Sequence, residues 1–279
     1  GAGCLRRPPP PAGDGGAEPR LVSLAPNLTE IVFAIGAGDR LAGRSDACDW
    51  PPAARRLPVA GGFGRPAAEA ILALRPTCVL TTELEDERSL APLRRAGIAH
   101  HRIPCRRLDD IPAAMRAVGR LAGREEAGEE AAARLAAEIA RLRAAAAAAT
   151  NAPTVFVEIW DDPLITAGRR SFVAELVALA GGRNLGDELD AGYTAVSPEW
   201  VVRRDPEIIL CLHAAGGDAA ARRRVAARPG WRHLRAVREG RVAGDLDPDL
   251  LLRPGPRLPE GVAILRRKIA AATAADEGR

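Results

Sequence analysis

The chain has 279 residues, 47% of them apolar and 27% charged, which is room for two modest domains with cores of their own and not the composition of a disordered chain. No apolar run approaches the roughly 20 residues of a bilayer span. The net charge of +4 is spread as scattered Arg pairs, and nine aromatics (four Trp, one Tyr, four Phe) are too few to interleave with a basic patch, so a nucleic-acid surface is excluded.

Residues 1–19 are rich in Gly, Pro and Ala, cannot build a core, and read as a flexible tether. From Arg20 the chain alternates strand and helix. The run 20–25 (RLVSLA) reads as a strand stopped by Pro26-Asn27, and Thr29-Glu30 opens a helix carrying Ile31, Val32, Phe33 and Ile35 that ends at Gly36. A strand at 41–44 leads into the loop Ser45-Asp-Ala-Cys-Asp-Trp50-Pro-Pro52, and a glycine turn at Gly61, Gly62 and Gly64 precedes a helix over 67–74. Strands at 78–81 and 98–103 and helices at 89–96 and 111–121 follow.

The segment 124–150 is the strongest helix in the chain: Ala, Glu, Arg and Leu throughout, acids at its start, arginines later, and one thin apolar stripe of Leu135, Ile139 and Leu142. At 1.5 Å per residue its length is roughly 39 Å, the width of a domain. Three large apolar residues are too few for a coiled-coil seam, so it reads as a connector between two lobes. Beyond it the alternation resumes, with strands at 154–160, 208–212 and 241–243 and helices at 171–180, 198–203, 219–226, 231–237 and 256–272.

The halves echo each other. Glu69 to Pro76 followed by Thr-Cys-Val-Leu matches Glu199 to Pro206 followed by Glu-Ile-Ile-Leu, and Glu30 to Gly36 matches Glu175 to Gly181. Two matches in the same relative setting argue for paired lobes. The expectation is an α/β protein of two lobes, each a mostly parallel sheet flanked by helices, joined by one long helix: tether 1–19, N-terminal lobe 20–122, connecting helix 123–150, C-terminal lobe 151–279. A cleft is expected where loops of the two lobes converge.

The motifs RLVSLAPNLTEIVFAIGAGDRLAGRS, CDWPP, AAEAILALRPTCVL, VFVEIW with DDPLITAG, ELVALAGGRN, VSPEWVVRRDPEIIL and RPGPRLPEG, in that order over residues 20–270, resemble the substrate-binding proteins of ABC importers. Within them, the resemblance is to the single-helix class that carries vitamin B12, haem or ferric siderophores. It implies no catalysis, a small opening motion, no resident cofactor or metal, a periplasmic or extracytoplasmic location, a monomer, and an ABC permease dimer with its ATPase as partner. One Glu per lobe would dock on that permease, which assigns Glu69 and Glu199. Cys4, after small residues and before the tether, resembles the processed end of a bacterial lipoprotein and is the candidate lipidation residue, although Gly1 departs from the Leu usual at that position.

The expected ligand contacts are Trp50, Phe63, Trp160, Tyr193, Asp249 and Arg253. CDWPP resembles the CDYPP of B12 binders, and large aromatics on loops of facing lobes suit a broad, mostly apolar corrin disc. Core packing is the alternative for each aromatic alone. Haem is the nearest rival ligand, but Phe63 stands in the glycine turn where haem-binding relatives often place a ligating Tyr. Arg65, Arg169, Arg170 and Arg253 could instead hold an anionic siderophore. The four His fall outside the motif positions of metal-binding relatives, and Cys48, Cys78, Cys105 and Cys211 lack CxxC spacing and leave disulfide pairing open. A hydrolytic α/β enzyme is the distant alternative; no G-x-S-x-G, P-loop or G-x-G-x-x-G supports it, and Asp46, Asp49, Asp161 and Asp162 sit where turn formers do.

Overall fold

The computed structural model describes residues 18–85, 87–148, 151–213 and 216–274; Cys4 and nearly all of the tether lie outside them. The first lobe runs β1 (Leu21–Ser23), α1 (Pro26–Ala34), β2 (Leu41–Arg44), β3 (Gly61–Gly62), β4 (Arg65–Pro66), α2 (Ala68–Ala73), β5 (Cys78–Thr81), α3 (Glu87–Arg95), β6 (Ala99–Arg102) and α4 (Asp110–Leu121). Helix α5 (Glu125–Ala147) leads into β7 (Thr154–Asp161), β8 (Leu164–Ala167), α6 (Phe172–Leu179), β9 (Arg183–Asn184), β10 (Tyr193–Ala195), α7 (Pro198–Arg204) and β11 (Ile208–Cys211). Then come α8 (Gly217–Ala226), α9 (Arg235–Arg238), β12 (Val242–Ala243), α10 (Pro248–Leu252) and α11 (Leu258–Ala274).

Helix α1 starts earlier than the sequence suggests. Pro26 is its first residue, not the stop of the preceding strand, because the first helical position needs no N–H donor and the proline φ is already helical. The short run Leu164–Ala167, left unassigned above, forms a strand because β7 extends far enough to fold back on it. Residues 248–252 likewise make a helix, capped by the Asp247 carboxylate accepting from the Asp249 N–H.

Both lobes use one strand order. In the first, β2, β1, β5 and β6 lie side by side, all parallel. In the second, β9, β7, β11 and β12 repeat that arrangement in parallel. The hairpin of β7 with β8, and β10 on its far side, are antiparallel additions that make this sheet mixed.

Among the described residues, three apolar clusters fill the molecule. The largest runs through both lobes, from Leu28 and Ile31 of α1 and Val118 of α4 to Val155 of β7, Leu176 of α6 and Leu265 of α11, with Leu135, Ile139 and Leu142 of α5 inside it. A smaller cluster with Val22, Leu24, Ile71, Leu90 and Leu93 lies in the first lobe, and one with Phe156, Val201, Ile209 and Trp231 in the second. Helices α4 and α5 approach closely at Gly119 and Gly128, where a Cβ on Gly119 would sit 2.9 Å from the Gly128 Cα; any larger residue would force the hairpin open. A core continuous across the lobe boundary restricts how far the lobes can move apart.

Candidate ligand cleft

The loop after β2 and the β3–β4 hairpin build one wall of a cleft between the lobes. Gly61 has φ +130° and a Cβ there would lie 2.5 Å from the Ala67 nitrogen, so only glycine permits this turn. Phe63 sits at the hairpin tip, 42% exposed, with its backbone N–H donated to Asp46 Oδ1 at 3.0 Å. Opposite, Gly168 N donates to Gly192 O at 2.7 Å and Arg170 N to Ala191 O at 2.9 Å, which fixes the segment that presents Tyr193, 48% exposed.

Between them is a cleft of about 620 Å³. The first lobe lines it with Phe63, Leu84, Asn27 and Cys105, the second with Tyr193, Phe172, Leu252, Asp249 and Arg253, and the walls are mostly apolar. Tyr193 stands at the rim, yet the surrounding protein removes enough water to push its phenol up to about 12. Burial pushes the Cys105 thiol up to about 12 as well, so it is a protonated apolar surface. Cys48, Cys78 and Cys211 are also free and buried, which resolves the pairing left open above.

The charged groups of the cleft are already partnered. Arg253 donates from Nη1 to Asp49 Oδ1 at 2.8 Å and lies 2.8 Å from Asp249 Oδ1 through Nη2, with Glu30 Oε1 at 3.6 Å from Nη1. Burial works to raise the Asp49 carboxyl, but the Arg253 hydrogen bond and charge outweigh it and hold it below the usual carboxylate range. Asp249 is raised, mainly by burial, against the pull of Arg253. Arg106 is paired with Glu83, and Arg169 and Arg170 converge on Asp190.

Of the six expected contacts, Phe63, Tyr193, Asp249 and Arg253 line this cleft. Trp50 does not: it lines a smaller niche with Glu30, Phe33 and Pro256, beneath the Arg257 guanidinium at 4.7 Å. Trp160, 53% exposed, is the penultimate residue of β7, with its Nε1–H donated to Asp162 O at 3.1 Å and the His213 ring 5.7 Å away. Asn27, Leu84, Phe172 and Leu252 also line the cleft and had no distinguishing sequence signal, because apolar or amide side chains in loops are ordinary until a fold places them opposite each other. Glu69 and Glu199 are exposed in the first turns of α2 and α7. Among the described residues, no cluster of His, Cys, Asp and Glu could hold a metal ion, and no helix is long and apolar enough to cross a membrane.

Two lobes of matching sheet order, one long helix between them and a cleft where their loops meet define a solute-binding protein, and residues 21–250 match the periplasmic binding protein family, to which the chain belongs. Members are non-enzymatic components of transport. The chain is 33% identical over 193 residues to the vitamin B12-binding protein of Pectobacterium carotovorum, covering 68% of this chain and 70% of that one. Among solved structures it is similar to a periplasmic heme-binding protein from Roseiflexus sp. RS-1 in apo form, with a TM-score of 0.80, 32% identity, and 92% and 99% of the two chains covered. It is also similar to the periplasmic vitamin B12-binding protein of Vibrio cholerae, with a TM-score of 0.75, 28% identity, and 91% and 97% covered. The protein is therefore a periplasmic binding protein of the B12, haem and siderophore type.

Proposed function

We propose that the chain binds cobalamin or a related corrinoid in the inter-lobe cleft and delivers it to an ABC permease dimer, which it meets through Glu69 and Glu199. The observation that carries this reading is the charge state of the cleft. Arg253, Arg106 and Arg170 each have a carboxylate partner already, while the rest of the wall is mostly aromatic and aliphatic. An anionic chelate or the propionates of haem would have to compete with those acids for the guanidinium groups. The rim of a corrin carries neutral amides, whose N–H groups suit Asp249 and whose flat face suits Phe63 and Tyr193.

One observation favours haem as the second reading: Tyr193 is a phenol in the cleft wall, and phenolate is an iron ligand. Its raised pKa works against that, because more free energy is needed to form the phenolate. Calorimetry with cyanocobalamin, haem and a panel of ferric siderophores separates the readings. Tight binding of cyanocobalamin alone is the expected result; tight binding of haem with a shift of its visible absorption, abolished by Tyr193→Phe, would replace the corrinoid reading. Lipidation at Cys4 accompanies the proposal as its anchor, checked by metabolic labelling with a fatty acid in a Cys4→Ala control.

A further inference from the structure

Glu30 and Glu175 occupy matching places in the two halves. Each lies in the first helix of its lobe, six residues before a glycine of positive φ, Gly36 at +70° and Gly181 at +87°. The structure adds what the repeat alone does not contain: each side chain reaches the opposite lobe. Glu30, on α1 of the first lobe, is 3% exposed and accepts from Arg257 Nε at 2.9 Å and Nη2 at 2.7 Å, just ahead of α11 in the second lobe. Glu175, on α6 of the second lobe, accepts from Arg107 Nη2 at 2.7 Å and from the backbone N–H of Leu108 at 2.9 Å, just ahead of α4 in the first.

These are not ordinary surface pairs. The Glu30 and Arg257 side chains are 2% and 14% exposed and meet through two hydrogen bonds, and the Glu175 side chain is 15% exposed and holds a backbone donor as well as a guanidinium. Water screens the Glu30 pair poorly; Arg107 is 48% exposed, but the backbone N–H of Leu108 gives the Glu175 contact a second, directional bond. Each acid also sits immediately behind the cleft wall. Asn27 lies one turn before Glu30 and donates to Pro254 O at 3.3 Å, across the lobes again; Cys105 Sγ donates to the same oxygen at 3.1 Å. Phe172 lies one turn before Glu175, and Arg106 is next to Arg107.

A single helix and a shared apolar core limit how far the lobes separate, but apolar contacts are not directional and leave small rotations open. Two directional ties, one to the start of α11 and one to the start of α4, restrict those rotations. We infer that Glu30 and Glu175 are a matched pair of positioning residues that latch the two lobes at one separation and so set the width of the ligand cleft. The latch depends only on the cleft taking a ligand, not on that ligand being a corrinoid.

The test measures the lobe separation without any ligand. In the full chain carrying Cys4→Ala, nitroxide labels at Arg88→Cys and Arg203→Cys report the distance between the lobes by pulsed electron resonance. The unlatched pair Glu30→Gln with Glu175→Gln should broaden the distance distribution by about twofold or more, with each single variant intermediate. Arg134→Ala, which breaks an ion pair internal to α5, should leave it unchanged. If Glu30→Gln does not fold, Glu175→Gln and Arg107→Ala, whose side chains face the boundary from opposite lobes, decide the matter alone. A distribution as narrow as in the parent, with only a lowered melting temperature, overturns the latch and leaves the pairs as structural contacts.

Discussion

The two lobes share a strand order and differ in what lies against one face of it. Val22 and Leu24 of the first lobe belong to a cluster of aliphatic side chains with Ile71, Leu90 and Leu93. The registers of β1 on β5 and of β7 on β11, with Val22 opposite Val79 and Phe156 opposite Ile209, put Phe156 and Glu158 in the equivalent places of the second lobe. Phe156 packs edge-on against the buried Trp231, with ring centres 5.9 Å apart. Glu158 is fully buried and accepts from Arg228 Nη2 at 2.9 Å, with His213 Nε2 2.7 Å away. One sheet thus tolerates either an aliphatic filling or an aromatic pair with a buried ion network. Strand order is decided by the alternation and by the connections, while the filling has mainly to match volume and pair the charges it encloses.

The equivalence of the lobes is broken most severely at Glu69 and Glu199, if each docks on one permease subunit. Alanine at both should abolish ligand uptake and ligand-stimulated ATPase activity while calorimetry shows unchanged cargo affinity, and each single variant should lose on the order of tenfold in coupling. A lobe whose glutamate can be removed without effect is not a docking lobe.

The difference in filling is sharpened by urea unfolding. Glu158→Gln leaves Arg228 buried beside a neutral group and should cost about 3–5 kcal/mol, whereas Glu158→Leu combined with Arg228→Met, which imitates the first lobe, should stay within about 2 kcal/mol of the parent. Leu24→Ala in the first lobe should cost about 2–5 kcal/mol by opening a cavity. If Glu158→Gln is silent, the ion network contributes nothing that the aliphatic lobe lacks.

The first lobe exposes Phe63 to the cleft and the second exposes Tyr193, with Phe172 buried behind, so Phe63→Ala and Tyr193→Ala should each weaken cobalamin binding by about tenfold, near 1.4 kcal/mol, in calorimetry. Unequal losses would show which lobe holds the ligand.

A smaller, pH-dependent effect belongs to the second lobe. Burial works to raise the Asp218 carboxyl, but the N–H groups of Asp245 and Gly244 and the Lys268 ammonium outweigh it and hold it below its ordinary value. A carboxyl lowered in the folded state contributes stability that is complete above its unfolded pKa of about 3.9 and is lost as pH falls through the folded value. Asp218→Asn should therefore melt below the parent at pH 7, and the gap should close as the pH drops under about 4.

The smallest change is expected in shape. With a core running through both lobes, scattering profiles with and without cyanocobalamin should nearly coincide, and a large compaction would contradict it.

The elements were readable because each is coded locally. Helix α5 follows from its Ala, Glu and Arg composition, and its buried face is the Leu135, Ile139 and Leu142 stripe that the spacing marks. The repeat between halves was readable because Pro76 and Pro206, and Gly36 and Gly181, punctuate both copies at one spacing. Where local signals compete, they misled: Pro26 reads as a strand stop or a helix start, and only the helix following it decides.

The cleft was legible only in part. Phe63, Tyr193, Asp249 and Arg253 line it because glycine turns and the segment around α10 mark loops at the lobe boundary, whereas Trp50 and Trp160, read by the same logic, lie away from it. The sequence by itself determined the alternation of strand and helix, the doubling of the lobes and the family, since backbone propensity and periodicity act over a few residues at a time. The tertiary structure decided which arginine meets which acid, and that Glu30 and Glu175 face across the lobes, 227 residues from Arg257 and 68 from Arg107. Pairings over such distances arise from packing that no local pattern encodes.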